Sequence, residues 1–171
     1  MSPLSVEHRG FFGSLEGLLR HYSSRNAHVV TDTRVYGYTM FFSCSTFSPA
    51  DSTTYYVGII PDLVPATVSG NRGADVPRGG TIKRAQLWWY GGTAGSNESI
   101  SVYVRRNMST STLVQTIGDT AAIKTFTNTA LSVAVATAER LEFQINTPLW
   151  GTNPNNVAIG GWVWIEYDPA V

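Results

Sequence analysis

The residues of this sequence that could do chemistry are few and widely spaced. His8, His21 and His28 are its only histidines, and Cys44 is its only cysteine. A serine or cysteine nucleophile needs a base within hydrogen-bond reach, and a metal site needs several ligands at suitable spacing. The histidines are too scattered for either arrangement, so we expect no catalytic triad, no bound metal and no cofactor. Cys44 lies in an apolar segment, where a small buried hydrophobe is expected.

The carboxylates are the remaining candidates for catalysis. Two facing carboxylates can hydrolyse a glycosidic bond, and Glu98, Glu142 and Glu166 each lie in or at the start of a predicted strand. Nothing in the sequence selects a pair among them, and solvated or salt-bridged surface acids are the better interpretation. We therefore predict that the protein is not an enzyme.

The aromatic residues are more informative than the ionisable ones. Trp150 lies in a predicted loop over residues 147–156 and could mark a binding tip. Others fall on strand faces opposite the aliphatic residues, where they could form a subunit interface, stack on sugar rings or be covered by the same chain. This outward set comprises Trp88, Tyr90, Tyr103, Trp162 and Trp164.

Strands are expected to position these residues, because apolar and polar side chains alternate with a period of two from residue 35 onward. The predicted strands are 35–45, 53–60, 81–90, 98–106, 113–117, 123–126, 130–136, 139–146 and 157–167, with a short one near 66–69. The Gly-rich segment 91–97 is predicted to be a flexible hairpin tip, and the Pro- and Gly-rich residues 61–80 a long loop. Many short strands without intervening helices indicate an antiparallel sandwich or barrel.

The first 34 residues follow a different pattern. Apolar side chains recur there at helical spacing and predict a short amphipathic helix over residues 11–22. Because such a helix is marginal alone, its apolar stripe must dock on the same chain or on a partner. The stripe consists of Phe11, Phe12, Leu15, Leu18, Leu19 and Tyr22. We predict a docking arm over residues 1–34 and a β-body over residues 35–171.

Composition excludes several classes of partner. The 171 residues carry 12 basic and 12 acidic side chains, a formal net charge of zero, whereas nucleic-acid binding needs a clustered basic face. No apolar stretch approaches the roughly 20 residues of a membrane span, and no signal peptide is evident at the start. We expect synthesis in a cytoplasm, with neither nucleic-acid binding nor membrane insertion.

Residues 77–107, PRGGTIKRAQLWWYGGTAGSNESISVYVRRN, resemble a known class of module. They are similar to the jelly-roll modules of structural proteins from tailed bacteriophages, of the tail-fibre, tail-tip or head-decoration type. The shared features are Ile82, Ala85, Leu87 and Trp89, a Gly/Ser turn, and an alternating strand from Glu98 that ends in Arg105–Asn107. The resemblance extends in rhythm over roughly residues 50–170.

The resemblance implies an eight-stranded antiparallel jelly-roll sandwich and a non-enzymatic virion component, a capsid decoration or tail-associated protein. Such modules commonly form trimers, attach through an N-terminal arm to other virion proteins, and present loops to the host. The alternative that remains open is a carbohydrate-binding adhesin module, whose exposed tryptophans would bind a host-surface glycan.

Overall fold

The computed structural model describes residues 36–167 apart from 61, 62, 71, 97, 98, 119 and 120. The chain divides after Val35, so the β-body forms a unit of its own from Tyr36. The predicted docking arm and its helix lie outside the described residues. Within the described part, no helix is long and apolar enough to cross a bilayer.

Ten strands follow one another along the described chain. Eight are substantial and two, β3 and β8, are short additions, in agreement with the eight-stranded prediction. They are β1 (Gly37–Phe47), β2 (Thr54–Val57), β3 (Ala74–Asp75), β4 (Gly80–Tyr90), β5 (Ile100–Arg106), β6 (Thr110–Ile117), β7 (Ile123–Asn128), β8 (Val133–Val135), β9 (Arg140–Asn146) and β10 (Val157–Tyr167).

The strands form two antiparallel sheets that pack face to face. Sheet A has the order β1-β10-β4-β7, with β8 paired to β4, and sheet B has the order β2-β9-β5-β6, with β3 paired to β9. Most strands that are adjacent in the sheets are far apart in sequence, and successive strands tend to alternate between the sheets. This order is that of a jelly roll, which confirms the predicted all-β, antiparallel jelly-roll sandwich.

One local prediction is wrong in an informative way. The strands on either side of residues 91–97 do not form a hairpin, because β4 pairs with β10 and β7 while β5 pairs with β6 and β9. The segment between them crosses from one sheet to the other. Its N–H groups are held by other loops, as Gly91 donates to Ala122 and Gly92 to Asn155, both at 2.8 Å.

Several boundaries also differ from the prediction: β1 ends at Phe47, β6 begins at Thr110, and the short strand β3 lies within the loop predicted over residues 61–80. Strand β2 ends at Val57, and the chain then turns to run beside β1, where the Gly58 carbonyl accepts from Ser43 N–H at 2.8 Å. The short strand expected near residues 66–69 is reduced to a single bridge between Tyr56 and Ala66.

The core lies between the sheets and is built from the inward side chains of every long strand. Alternation predicts inward residues on four strands, and all of them are buried: Ala85, Leu87 and Trp89 in β4, Ile100, Val102 and Val104 in β5, Leu141, Phe143 and Ile145 in β9, and Val157, Ile159, Val163 and Ile165 in β10. Phe42 contacts Phe143 edge-to-face with ring centroids 5.1 Å apart. The largest fully buried side chains are Trp89, Phe126, Phe143, Ile82, Leu87, Ile100, Leu141, Ile145 and Ile165.

Two adjacent phenylalanines in β1 test which face of this strand points into the core. Phe42 is 2% exposed, whereas Phe41 is 67% exposed on the opposite face. We expect Phe42→Ala to lower the free energy of unfolding by about 3–5 kcal/mol, because it opens a cavity in the core. Phe41→Ala should change it by about 0.5 kcal/mol or less. Urea denaturation of both variants measures the difference, and equal effects would contradict the register of β1.

Candidate interaction surface

The outer face of sheet A carries a cluster of large apolar side chains. Phe41 in β1 lies directly across from Trp162 in β10, and Trp164 lies two residues further along the same strand. Trp88 and Tyr90 continue the cluster on β4, where Tyr90 is paired with Ile123 of β7. Cross-strand neighbours on one face have Cβ atoms about 5 Å apart. We call this set the aromatic face: Phe41, Trp88, Tyr90, Ile123, Trp162 and Trp164.

Glycines shape the aromatic face by letting the indole rings lie against the sheet. A side chain at Gly37 would place its Cβ 2.6 Å from Cζ2 of Trp164, so that ring occupies the space above the glycine. Gly160 is opposite Trp88 across the β10–β4 pair, and its Cβ position is 3.6 Å from Cε3 of Trp88. An aromatic ring that covers a glycine on the neighbouring strand is a known device for pinning strand register. The tryptophans are therefore half-buried and held in place.

The aromatic face retains large exposed apolar groups within the described part of the chain. Phe41 is 67% exposed, Ile123 61% and Tyr90 50%. Polar side chains are interleaved with them, since Arg84 and Gln86 lie on the same face of β4. One ion pair borders the face, between Lys83 and Glu166 at 3.9 Å. Exposed apolar patches with polar margins are typical of interaction sites.

A second apolar surface follows the edge of β1. After β2 the chain passes along this strand, where the carbonyls of Gly58 and Leu63 accept from Ser43 and Ser45 N–H at 2.8 and 3.1 Å. These bonds fix a row of aliphatic side chains that are 37–50% exposed, which we call the ledge: Ile59, Ile60, Leu63 and Val64. The ledge segment begins beside Ser43, which lies two residues from Phe41 on the same strand face. The ledge therefore borders the aromatic face.

The rest of this long loop is clamped to the outer face of sheet B. Glu142 of β9 accepts hydrogen bonds from the Ser69 hydroxyl and from Gly70 N–H, the latter at 2.9 Å. Its carboxylate is 2% exposed and lies 3.6 Å from Nε of Arg105, which also donates to the Gln144 side chain. A buried charge is tolerated only when it is paired and hydrogen-bonded. Both oxygens of the Glu142 carboxylate are therefore engaged in contacts that hold the loop.

The loops at the opposite end of the sandwich hold one another. The backbone N–H of Trp150 donates to the Asp51 carboxylate at 3.1 Å, and Ser96 and Thr152 form a bridge between the β4–β5 and β9–β10 loops. The Trp150 ring is 8% exposed and packs beneath Gly95, whose Cβ position is 2.8 Å from Cζ3. This ring anchors the loops. The exposed apolar group nearby is Leu149, at 70%.

The structure brings together four of the aromatic residues singled out in the sequence. Trp88, Tyr90, Trp162 and Trp164 share the outer face of sheet A. Tyr103 lies on the outer face of sheet B, across from Gln144. Trp150 is buried in the loops, and the apolar stripe from Phe11 to Tyr22 lies outside the described residues.

Sequence reasoning missed Phe41, Ile123 and the ledge as surface groups. Phe41 stands beside another phenylalanine in the apolar segment MFFSCS, where only the alternation rule separates the buried ring from the exposed one. The ledge follows β2 along the chain, and residues 58–60 at its start were predicted as part of a strand. Its exposure depends on the path of the chain beyond β2, which no local pattern encodes.

The candidates for catalysis that lie among the described residues, Cys44, Glu142 and Glu166, have ordinary structural environments. Among the described residues, no group of three His, Cys, Asp or Glu side chains could hold a metal ion. Burial raises the pKa of the Cys44 thiol from 9.0 to about 11, and a thiol that stays protonated is a poor nucleophile. Glu166 pairs with Lys83 at the rim of the aromatic face, and Glu98 lies outside the described residues.

Comparison of the sequence with protein-family models gave no match, and comparison with curated proteins gave none either. Solved structures gave distant likenesses. One is a chain in the structure of infectious bursal disease virus, Gx strain, which is 12% identical with a TM-score of 0.43. The match covers 80% of this chain and 33% of that one, so the protein spans about a third of the virus chain's length.

Two other likenesses are of the same order. The GH26-CBM35 β-(1,4)-mannanase of Podospora anserina is 9% identical over 81% of this chain and 29% of its own, with a TM-score of 0.40. Eiger TNF from S. frugiperda is 15% identical over 77% of this chain and 99% of its own, with a TM-score of 0.37. At these TM-scores no functional argument rests on the likenesses.

The contacts of Glu142 with the long loop give a testable prediction. Glu142→Gln keeps the size of the side chain but leaves Arg105 without its charge partner, and breaking a buried ion pair is destabilising. We expect a loss of about 1–3 kcal/mol in the free energy of unfolding, the cost of a buried polar group left without its partner, and faster hydrogen exchange at the Gly70 amide. Glu166→Gln, which alters a partly exposed pair, is the control and should change stability by about 0.5 kcal/mol or less. Unchanged exchange at Gly70 in the Glu142 variant would contradict the clamp.

The buried thiol gives a prediction about pH. Because the folded state holds the pKa of Cys44 at about 11, the unfolded state loses its thiol proton first as pH rises. The free energy of unfolding should therefore fall between about pH 9 and pH 11, by about 2–3 kcal/mol. The Cys44→Ala variant should not show this fall. Subtracting its pH profile from that of the wild type removes the contribution of other groups that titrate in the same range. Identical pH profiles for the two proteins would rule out the raised pKa.

Proposed function

We propose that this protein is a non-enzymatic structural component of a bacteriophage virion, a capsid decoration or tail-associated protein that assembles as a homotrimer. The observation that carries the assembly role is the aromatic face with its adjoining ledge. Together they present ten apolar side chains, of which seven are more than a third exposed. Such contiguous apolar surface on a folded body is typical of subunit interfaces.

The rigidity of the body supports an assembly role. Both ends of the sandwich are held by hydrogen bonds between loops, and the long β2–β3 loop is clamped through Glu142. An interface loses less free energy on association when its side chains are already held in place. The tryptophans that rest on Gly37 and Gly160 meet this condition.

The virion assignment comes from the sequence. Residues 77–107 resemble jelly-roll modules of tailed-phage structural proteins, which commonly trimerise and attach through an arm. The apolar stripe of residues 11–22 suits such an arm, docking on neighbouring subunits or on other virion proteins. The body would then stabilise the particle or present its loops to the host.

A second candidate, a carbohydrate-binding adhesin module, is favoured by one feature of the same surface. Trp88 and Trp164 contact glycines of the neighbouring strands, and Gln86 and Arg84 lie beside them on the same face. Flat aromatic rings beside hydrogen-bonding groups suit the stacking of sugar rings.

Trp162 lies in the middle of the aromatic face and tests the proposal. We expect the wild-type protein to have the mass of a trimer by light scattering. Trp162→Glu should weaken association about 100-fold or more, because a charge buried at an interface without a partner costs several kcal/mol. Leu113→Glu is the control, since Leu113 is 46% exposed on the outer face of sheet B, and it should leave the mass unchanged.

The same assay on a chain lacking residues 1–34 measures what the arm contributes. A monomeric wild-type protein whose tryptophan fluorescence shifts with a glycan would instead favour the adhesin hypothesis. A monomer that is also silent across a broad glycan panel would overturn both functions for this face.

A further inference from the structure

Strand β1 presents an open backbone edge over its first half. The backbone carbonyl of Tyr36 accepts from Tyr167 N–H at 2.8 Å. Because backbone groups of successive residues in a strand point to opposite sides, the even-numbered residues of β1 are the ones that bond to β10. The N–H and C=O groups of Gly37, Thr39 and Phe41 therefore point away from the sheet. Within the described part of the chain, Ser43 and Ser45 have partners on that side, but these three residues have none.

Three other edge strands, β2, β6 and β7, have hydrogen-bond partners on their open sides. Strand β2 is covered by Ala66, with two backbone bonds to Tyr56 at 2.8 and 3.0 Å. Strands β6 and β7 shield each other across the sandwich, where the Gln115 side chain accepts from Thr127 N–H at 2.8 Å. Proteins normally blunt an edge with charges, proline, a bulge or a cover. Over residues 37–41 β1 has no such device among the described residues, and its sequence GYTMFFSCSTF has neither charge nor proline.

We propose that the first half of β1 pairs with the same segment of a second copy of this chain, antiparallel and about a two-fold axis through Thr39. The two copies of sheet A then form one continuous sheet, and their aromatic faces join on one side. This register places Thr39 opposite Thr39 and Gly37 opposite Phe41. It is the register that pairs every open position in both copies, six backbone hydrogen bonds in all by antiparallel geometry.

Side chains favour the same register. Phe41, the most exposed aromatic of the strand at 67%, is set opposite Gly37, which has no side chain to oppose it. The space above Gly37 holds the Trp164 indole. Phe41 of one copy thus meets Trp164 of the other, and aromatic pairs of this kind stabilise a contact beyond the area that they bury. The ledge segment, which covers Ser43 and Ser45, limits the pairing to residues 37–41.

This contact goes beyond the proposed function and does not depend on it. Two-fold pairing joins subunits of different trimers, so the trimer can exist without it and it can exist without the trimer. A particle built from trimers needs contacts of both kinds to extend in more than one direction.

Cysteine cross-linking of the full chain tests the register. In an antiparallel hydrogen-bonded pair the two Cα atoms are about 5.5 Å apart, within the range that a disulfide spans. Thr39→Cys should therefore give a disulfide-linked dimer on mild oxidation, seen on a non-reducing gel. The native thiol of Cys44 is buried with its pKa raised to about 11, so wild type should give no such band.

Phe41→Cys is the matched control on the same strand and face. In the proposed register the two copies of residue 41 are offset by four residues, about 13 Å along the strand, so this variant should not cross-link to itself. Adding Phe41→Lys to Thr39→Cys should reduce the dimer band at least about tenfold, because a lysine blunts the edge. Adding Leu113→Lys should not.

Three outcomes would overturn the inference. Cross-linking of Phe41→Cys as strong as that of Thr39→Cys would mean random collision or another register. Absence of the Thr39→Cys dimer at concentrations where light scattering detects a trimer would leave the proposed function intact and remove the two-fold contact. A monomeric, uncross-linked protein whose Gly37, Thr39 and Phe41 amides resist hydrogen exchange would mean that the chain's own residues cover this edge.

Discussion

The surface of this protein depends on the strict alternation of side chains in β10. This strand lies between β1 and β4 in sheet A, so it can shift its register only by breaking two ladders. Its residues Val157, Ile159, Val163 and Ile165 fill the core and are at most 3% exposed. The same register puts Trp162 and Trp164 on the outer face, because a slip of one residue would exchange the two faces. Burial of the aliphatic side chains thus fixes the position of the exposed ones.

The strands on either side of β10 contribute further residues to the aromatic face. The residues opposite the β10 tryptophans are Phe41 and Thr39 in β1 and Gln86 and Arg84 in β4, and Gly160 lies opposite Trp88. The aromatic face is therefore a product of pairing between four strands, β1, β10, β4 and β7, most of which are far apart in sequence. The free backbone groups of β1 come from the same arrangement, since β10 uses only one side of that strand.

Loops in this molecule are structural elements with specific anchors. Glu142 reaches from sheet B to hold Gly70 of the long β2–β3 loop, and Trp150 fills the space between the loops at the other end. A carboxylate and an indole that sequence reasoning considered for catalysis or ligand binding are therefore engaged within the fold. Among the described residues, the aromatic face and the ledge carry seven of the twelve large hydrophobic side chains that are exposed.

The sequence by itself determined most of the strands, the inward residues of the long ones and the outward position of Trp88, Tyr90, Trp162 and Trp164, because alternation with period two is a local property of the backbone. The jelly-roll class could also be predicted, from a resemblance and from the rhythm of short strands. Only the tertiary structure decided that β4 and β5 belong to different sheets, that Trp150 and Glu142 are buried, and that Phe41 and the edge of β1 are open. Those properties depend on which distant segments pair and which loop covers which face, and such contacts leave no periodic signal in the residues that make them.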